Sequence, residues 1–394
     1  MKSKKITVLS IYPIFPPNSG FKNRVYYLFR EIAAQGVKVE IVSLTGINQP
    51  SLNLEIAPNL YEIRIPKSQN QVNKELELAE ELELAREDIF DLTQIMLFEE
   101  TPDFINAFVE SSKDADWVIC SQPYFYPMVQ KYYTGKLVYD AHNVEFLLKK
   151  QLIGDNPNSN RLLDLLYHTE KELCVCADLV SVVTSTDEDI MSFSKLYNIQ
   201  LPHGLSVPIG VDLEESRFIS PDERLKNKEA VGIQGQTALF IGSAHKPNID
   251  ACSLIIDMAK QAAGTTFMLM GTCCNSFSTQ NLPENVKLLG VLSNDEKNRV
   301  LGFVDVALNP IIRGEGVNVK MLDYLAGGVP VITTPLGKRG LGLPDNAITV
   351  CEVDEFLTCL ENIDFNRVYS AREHVEKNFS WSVIAENFYS RLFN

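Results

Sequence analysis

The chain of 394 residues contains no uninterrupted apolar run of about 18 residues, the length a membrane-crossing helix needs. Its amino terminus, Met1-Lys2-Ser3-Lys4-Lys5-Ile6-Thr7-Val8, is basic, but only a short strand-like apolar run follows and then prolines, so no signal peptide is expected. Basic residues are the scarcer charge. Lys and Arg number 36 against 51 Asp and Glu, a formal net charge of −15, which excludes nucleic acid as the main partner. The same balance gives no general attraction to anionic lipid and leaves only a local basic patch for any peripheral membrane association. The eight cysteines include Cys174, Cys176 and the pair Cys273-Cys274, but none has zinc-finger spacing and no paired His motif accompanies them. They read as reduced core thiols, in keeping with a cytoplasmic protein. No acidic cluster has metal-site spacing, so no metal is expected, and no motif calls for a cofactor. His168, His203 and His374 have no supporting neighbours and read as structural.

What remains is an ordinary globular composition, 45% hydrophobic, with length enough for two domains of roughly 150–200 residues. The start alternates strand and helix. Ile6 to Ile11 reads as a buried strand, and Tyr12 to Gly20, with Pro13, Pro16 and Pro17, as a loop. Val25, Leu28, Phe29 and Ile32 lie at helical spacing up to Gly36, and Val39 to Leu44 reads as a second strand. This order predicts a parallel, doubly wound α/β sheet, which binds ligands at the carboxyl ends of its strands. Asn73 to Arg86, rich in Glu, Leu and Ala, reads as an exposed helix with a solvated acidic face. Further strands are expected at Trp117–Cys120, Lys136–Asp140 and Leu179–Thr184, with a helix over Arg161–Cys176. Pro202–Arg217 and the charged stretch Asp222–Glu229 read as a domain connection. A second strand–helix series then runs from Ala238 to Cys351, and a last helix covers about Ser382–Leu392. The expected domains are 1–200 and 201–379.

The most informative stretch runs from Gly314 to Ile332: a glycine-flanked loop, a short helix and a buried strand. Glu315 and Asp323 stand eight positions apart, and Lys320 falls in the first helical turn. A helix dipole disfavours a cation there, unless an anion docks at the same end. Backbone N–H groups at a helix start form a phosphate site, so one segment offers an anion cradle, a charge partner and two carboxylates suited to sugar hydroxyls. Four other segments carry polar groups at predicted strand ends. Asp140-Ala141-His142-Asn143-Val144-Glu145 reads as a ligand contact or as a strand-to-helix cap made by Asn143 or Asp140. Gly20 precedes a helix where backbone can approach a phosphate, with Arg24 one turn on. Lys246, after the strand ending at Gly242, is a candidate phosphate ligand or a lysine on a surface turn. Gly290-Val291-Leu292 ends another strand.

The order Glu315-Gly316, then Ala326, Gly328, Pro330 and Val331, resembles the nucleotide-sugar motif of retaining glycosyltransferases of family 4, which have the GT-B fold. Asp323 stands where that family has a second Glu, and Asn318 where Gly is common. A sub-branch with a Gly-x-Gly-x-x-x-Lys-x-Leu-Glu pattern matches around Lys320. Asp140 to Glu145 resembles the His-Asn-x-Glu segment of one branch. Pro16 to Arg24 resembles the amino-terminal loop, and Val207-Pro208-Ile209-Gly210-Val211-Asp212 the interdomain linker. The His usually found after a first-domain strand is missing from Asp116–Pro123, where Gln122 stands instead.

The resemblance implies two Rossmann-like doubly wound parallel-sheet domains facing a cleft, with a carboxyl-terminal helix at 380–394 returning to the first. It implies transfer of a sugar from a nucleoside diphosphate sugar to a hydroxyl acceptor, a glycan or lipid-linked glycan, without a divalent metal. By this resemblance Glu315 holds the donor sugar's hydroxyls and Asp323 the ribose. Lys320, Lys246 and the backbone near Gly316, Asn318 and Val319 face the diphosphate, and Val291 and Leu292 read the base through backbone atoms. His142 and Asn143 orient sugar or acceptor, and Gly20 and Arg24 reach donor or acceptor. A degenerate nucleotide-sugar-binding scaffold and a nucleotide-sugar epimerase are the rival readings, separated by product analysis.

Overall fold

The computed structural model describes residues 4–185, 188–201, 203–314 and 317–394. The chain divides into two compact units, Met1–Pro208 with Ile384–Asn394, and Ile209–Val383.

The first unit is built on an eight-stranded sheet of β1 (Lys5–Ser10), β2 (Lys38–Thr45), β3 (Leu52–Ala57), β4 (Leu60–Pro66), β5 (Trp117–Cys120), β6 (Leu137–Ala141), β7 (Leu179–Val182) and β8 (Gly204–Ser206). Their order is β3-β4-β2-β1-β5-β6-β7-β8. Helices cover both faces of its parallel centre, so the middle strands are buried along nearly their whole length rather than on alternate residues, and Val8, Ile41, Ile119 and Val138 are fully enclosed. The helix Gly20–Ala34 lays the predicted stripe of Val25, Leu28, Phe29 and Ile32 on this sheet. From Ile384 the last helix, Trp381–Phe393, belongs to this unit. The Trp117 indole N–H donates to the Leu392 carbonyl at 2.9 Å, and Lys4 donates to the Tyr389 hydroxyl at 2.6 Å.

The second unit has a six-stranded parallel sheet: β9 (Gln236–Ile241), β10 (Thr265–Met270), β11 (Val286–Gly290), β12 (Val306–Asn309), β13 (Val331–Thr333) and β14 (Thr349–Val350). The order is β11-β10-β9-β12-β13-β14. Leu239, Leu269 and Leu308 lie at the centre of its core with no exposure.

The parallel sheet of the first unit carries one antiparallel edge strand, β3, paired with β4. Two expectations need correcting. The acidic helix, Gln69–Glu81, is not simply solvated, because Glu75 has no exposure. Its carboxylate accepts from Lys67, from Arg86 Nη2 at 2.7 Å and from Gln71 Nε2 at 3.1 Å. Burial works to raise its pKa, but the charges of Lys67 and Arg86 overcome this, so the net shift is downward. The stretch read as a connection also holds structure. Its first part forms β8, and Asp222–Glu229 lies within the helix Pro221–Ala230, capped by Ser220. That helix buries Arg224, which donates to the carbonyls of Val304, Gly327 and Gly328, each at 2.9 Å. The last two carbonyls end the helix Lys320–Ala326, so a side chain from the supposed linker anchors the segment most suggestive of function.

Candidate functional site

In the second unit the site residues gather at the carboxyl ends of the parallel strands. After β10 the chain turns at Gly271, with φ of 101° and so little room that a Cβ would lie 2.2 Å from the Gly242 carbonyl oxygen. Only glycine lets the β9 and β10 ends approach this closely. Beyond β9, Asn248 donates to the Ser243 carbonyl and hydroxyl at 3.2 and 3.1 Å. Its amide oxygen accepts from Lys320 Nζ at 2.6 Å. Lys320 also lies over the Phe240 ring, 4.2 Å from its centroid. Burial pushes the Lys320 pKa down to about 8. Among the described residues no carboxylate pairs with it. A cation held by an amide and a ring face, rather than by an acid, is poised for an anionic ligand.

Two further cations meet one carboxylate on the helix that carries Asn248. Lys246 opens the helix Lys246–Ala259 and meets Asp250 at 2.9 Å, with its side chain 68% exposed. Arg313, which the sequence reading passed over, pairs with the same Asp250. Two cations on one carboxylate leave a net positive charge. Nothing local in the sequence announces Arg313 as their partner, since it lies 63 positions from Asp250.

The remaining predicted residues are more scattered in their engagements. Asn318 donates to the Gly337 carbonyl at 3.1 Å, and Val319 precedes the first turn of Lys320–Ala326 without a side-chain cap. Asp323 is half-buried, with Lys297 at 3.4 Å. Val291 is exposed and Leu292 packs on the core of the unit. Glu315 and Gly316 lie outside the described residues.

In the first unit the expectation for Arg24 fails. Its side chain has no exposure. It donates to Asp140 Oδ1 at 2.6 Å, to the Val207 carbonyl at 2.6 Å and to the Pro208 carbonyl at 3.2 Å. A guanidinium so enclosed and neutralised is structural and does not reach a ligand. Gly20, by contrast, opens its helix exposed, with open space where a Cβ would stand. His142 follows β6 with its side chain 8% exposed, its Nε2 at 3.1 Å from Asp140 Oδ2 and its ring 4.8 Å from that of Phe21. Burial lowers the His142 pKa against the opposing pull of Asp140, so the ring is neutral near pH 7.

Asn143 is exposed and donates to Glu145 Oε1 at 3.3 Å. Neither Asn143 nor Asp140 caps the next helix, Glu145–Ile153. That role falls to Glu170, which accepts from the backbone N–H groups of Glu145 and Phe146 at 2.9 Å each. Glu145 itself is enclosed beside the Tyr124 hydroxyl, 2.6 Å away, and burial raises its pKa to about 7. Just beyond the end of β5, the side-chain oxygen of Gln122 is buried without a partner among the described residues.

Two Rossmann-like parallel-sheet units define the GT-B fold. Sucrose-phosphate synthase from Thermosynechococcus elongatus superposes with a TM-score of 0.74 over 99% of both chains at 16% identity. Anabaena HepE in complex with UDP gives 0.65 over 98% of this chain and 99% of that one, at 12% identity. Residues 235–363 match the family described as Glycosyl transferases group 1, so the second unit carries that domain and the chain is an enzyme of the glycosyltransferase class. An uncharacterized 44.6 kDa protein in the cps region of Klebsiella pneumoniae is 21% identical over 299 residues, 72% of this chain and 73% of that protein.

Proposed function

We propose that this chain is a retaining glycosyltransferase of family 4 that moves a sugar from a nucleoside diphosphate sugar to a glycan or lipid-linked hydroxyl acceptor in the cytoplasm, without a divalent metal. The observation that carries the reading is Lys320, a largely buried cation whose hydrogen bond goes to the Asn248 amide oxygen at 2.6 Å. As the sugar–phosphate bond breaks, negative charge grows on the departing diphosphate. Lys320, with Lys246 and Arg313 as outer partners, would stabilise it. The acceptor hydroxyl would attack on the face the phosphate leaves and pass its proton to a phosphate oxygen. Asp323 would meet the ribose, Glu315 the sugar hydroxyls, and His142 would orient sugar or acceptor.

UDP-sugars are the first donors to test, because a similar structure holds UDP. A glycan acceptor is supported by the similarity to a protein of the cps region. The test is product analysis with and without EDTA, reading the anomeric configuration by NMR. A transferred sugar with retained configuration in EDTA supports the reading. Inversion or a strict metal requirement contradicts it. Nucleotide binding with no turnover would favour a scaffold.

A further inference from the structure

Asp140, to which the proposed mechanism gives no role, stands at the centre of an arrangement that includes His142. It is fully enclosed at the end of β6. Its Oδ1 accepts from Arg24 Nη2 at 2.6 Å and from the Ser181 hydroxyl at 2.7 Å. Its Oδ2 faces His142 Nε2 at 3.1 Å. An ionised carboxylate is an acceptor only, so the contact requires the proton of the ring on Nε2. Arg24 and Ser181 supply donors to the other oxygen and keep the carboxylate charged, which removes any alternative in which Asp140 gives a proton to the ring. Among the described residues His142 Nδ1 has no protein partner. Arg24 carries the arrangement further, since its Nη1 donates to the carbonyls of Val207 and Pro208, where the first unit's main segment ends.

We infer that Asp140 is a positioning residue: it fixes the His142 imidazole in the Nε2-protonated tautomer, leaves Nδ1 as the acceptor for a sugar hydroxyl, and through Arg24 ties that ring to the peptide at Val207–Pro208. The tautomer matters because a neutral imidazole accepts at one nitrogen only, and the hydrogen bond made by the other nitrogen decides which. A ring free to exchange tautomers would offer a donor where the hydroxyl proton must go. Packing of Phe21 on the ring limits its rotation but cannot select the tautomer, which leaves that choice to Asp140. The functional half of this inference rests on the proposed role of His142 at the sugar; the tautomer does not.

The experiment is nitrogen-15 NMR of the histidine side chains in the full chain near neutral pH. Five imidazoles are present, and His142→Ala assigns the relevant signals by their loss. The expected wild-type spectrum shows His142 as a single Nε2-protonated tautomer, and Asp140→Asn shows mixed tautomers. A wild-type ring protonated on Nδ1, or in rapid exchange, overturns the inference even if Asp140→Asn does not fold. In the transfer assay Asp140→Asn is expected to lower kcat on the order of 10²-fold with donor KM unchanged. The double variant Asp140→Asn with His142→Ala should be no slower than His142→Ala alone. Losses that multiply in the double variant overturn the positioning role. A wild type with the expected tautomer and no transferase turnover would instead sink the proposed function and leave the Asp140–His142 geometry standing.

Discussion

The two units treat charge in opposite ways. In the first, ionised groups at the sheet are enclosed and answered: Arg24 and Asp140 meet at 2.6 Å with no exposure on either side chain. Lys67 pairs with the buried Glu75, and Lys149 meets Asp91 at 2.7 Å. In the second, the cations at the strand ends are under-answered. Lys320 has an amide for a partner, and Lys246 and Arg313 share one Asp250. A buried cation held by an acid or by several carbonyls positions its neighbours, whereas a strand-end cation held only by an amide or by a shared carboxylate is available to a phosphate. The difference explains why two basic residues that both read as ligand contacts, Arg24 and Lys320, have different fates.

The comparison is broken most severely by removing a paired charge from the first unit. Arg24→Met leaves Asp140 buried beside only Ser181 and His142, and should destabilise the fold by about 3–5 kcal/mol, read as a lower midpoint in urea. Next is Lys320→Ala, expected to cost the transfer reaction on the order of 10²–10³-fold in kcat with little change in the urea midpoint. A Lys320→Ala variant with full activity removes the central role given to that residue.

Much of this organisation was legible in the chain. Strand–helix alternation follows from apolar runs closed by glycine and proline, and the stripe from Val25 to Ile32 is where helical spacing puts it. The loop, short helix and strand read from Gly314 to Ile332 likewise appear as the helix Lys320–Ala326 and β13. Two of the failures share a cause, which is that burial of charge depends on partners outside the element that carries it. Glu75 looks like part of a solvated face until Lys67 and Arg86 are seen around it. Arg224 looks like linker, yet its targets lie about a hundred positions away at Gly327 and Gly328. The β3–β4 hairpin was missed because its residues are largely half-buried or exposed and give no strong apolar run.

Two smaller effects sharpen the contrast through pH. Glu145 has a folded pKa raised by burial to about 7, above its ordinary 4.5. The stability it contributes is therefore complete below 4.5 and lost as pH rises through 7. Thermal unfolding followed across that range should show a falling midpoint, and Glu145→Gln should flatten the fall. Lys320 moves the other way, from 10.5 down to about 8, so it loses its charge as pH rises through 8. Nucleoside diphosphate affinity should decline over that interval, and Lys320→Arg should remove the decline, because an arginine stays charged. The smallest effects are expected at the shared carboxylate. Lys246→Ala or Arg313→Ala alone should weaken nucleotide affinity about 2- to 5-fold, since both are exposed and screened.

The most direct measurement is calorimetric titration of the wild type, Lys320→Ala and Arg24→Lys with UDP, GDP, ADP and CDP in EDTA. The account predicts that one nucleotide binds the wild type, that Lys320→Ala loses about tenfold or more in affinity, and that Arg24→Lys binds as the wild type does. Unchanged binding in Lys320→Ala, or loss confined to Arg24→Lys, would contradict it and place the anion on the first unit.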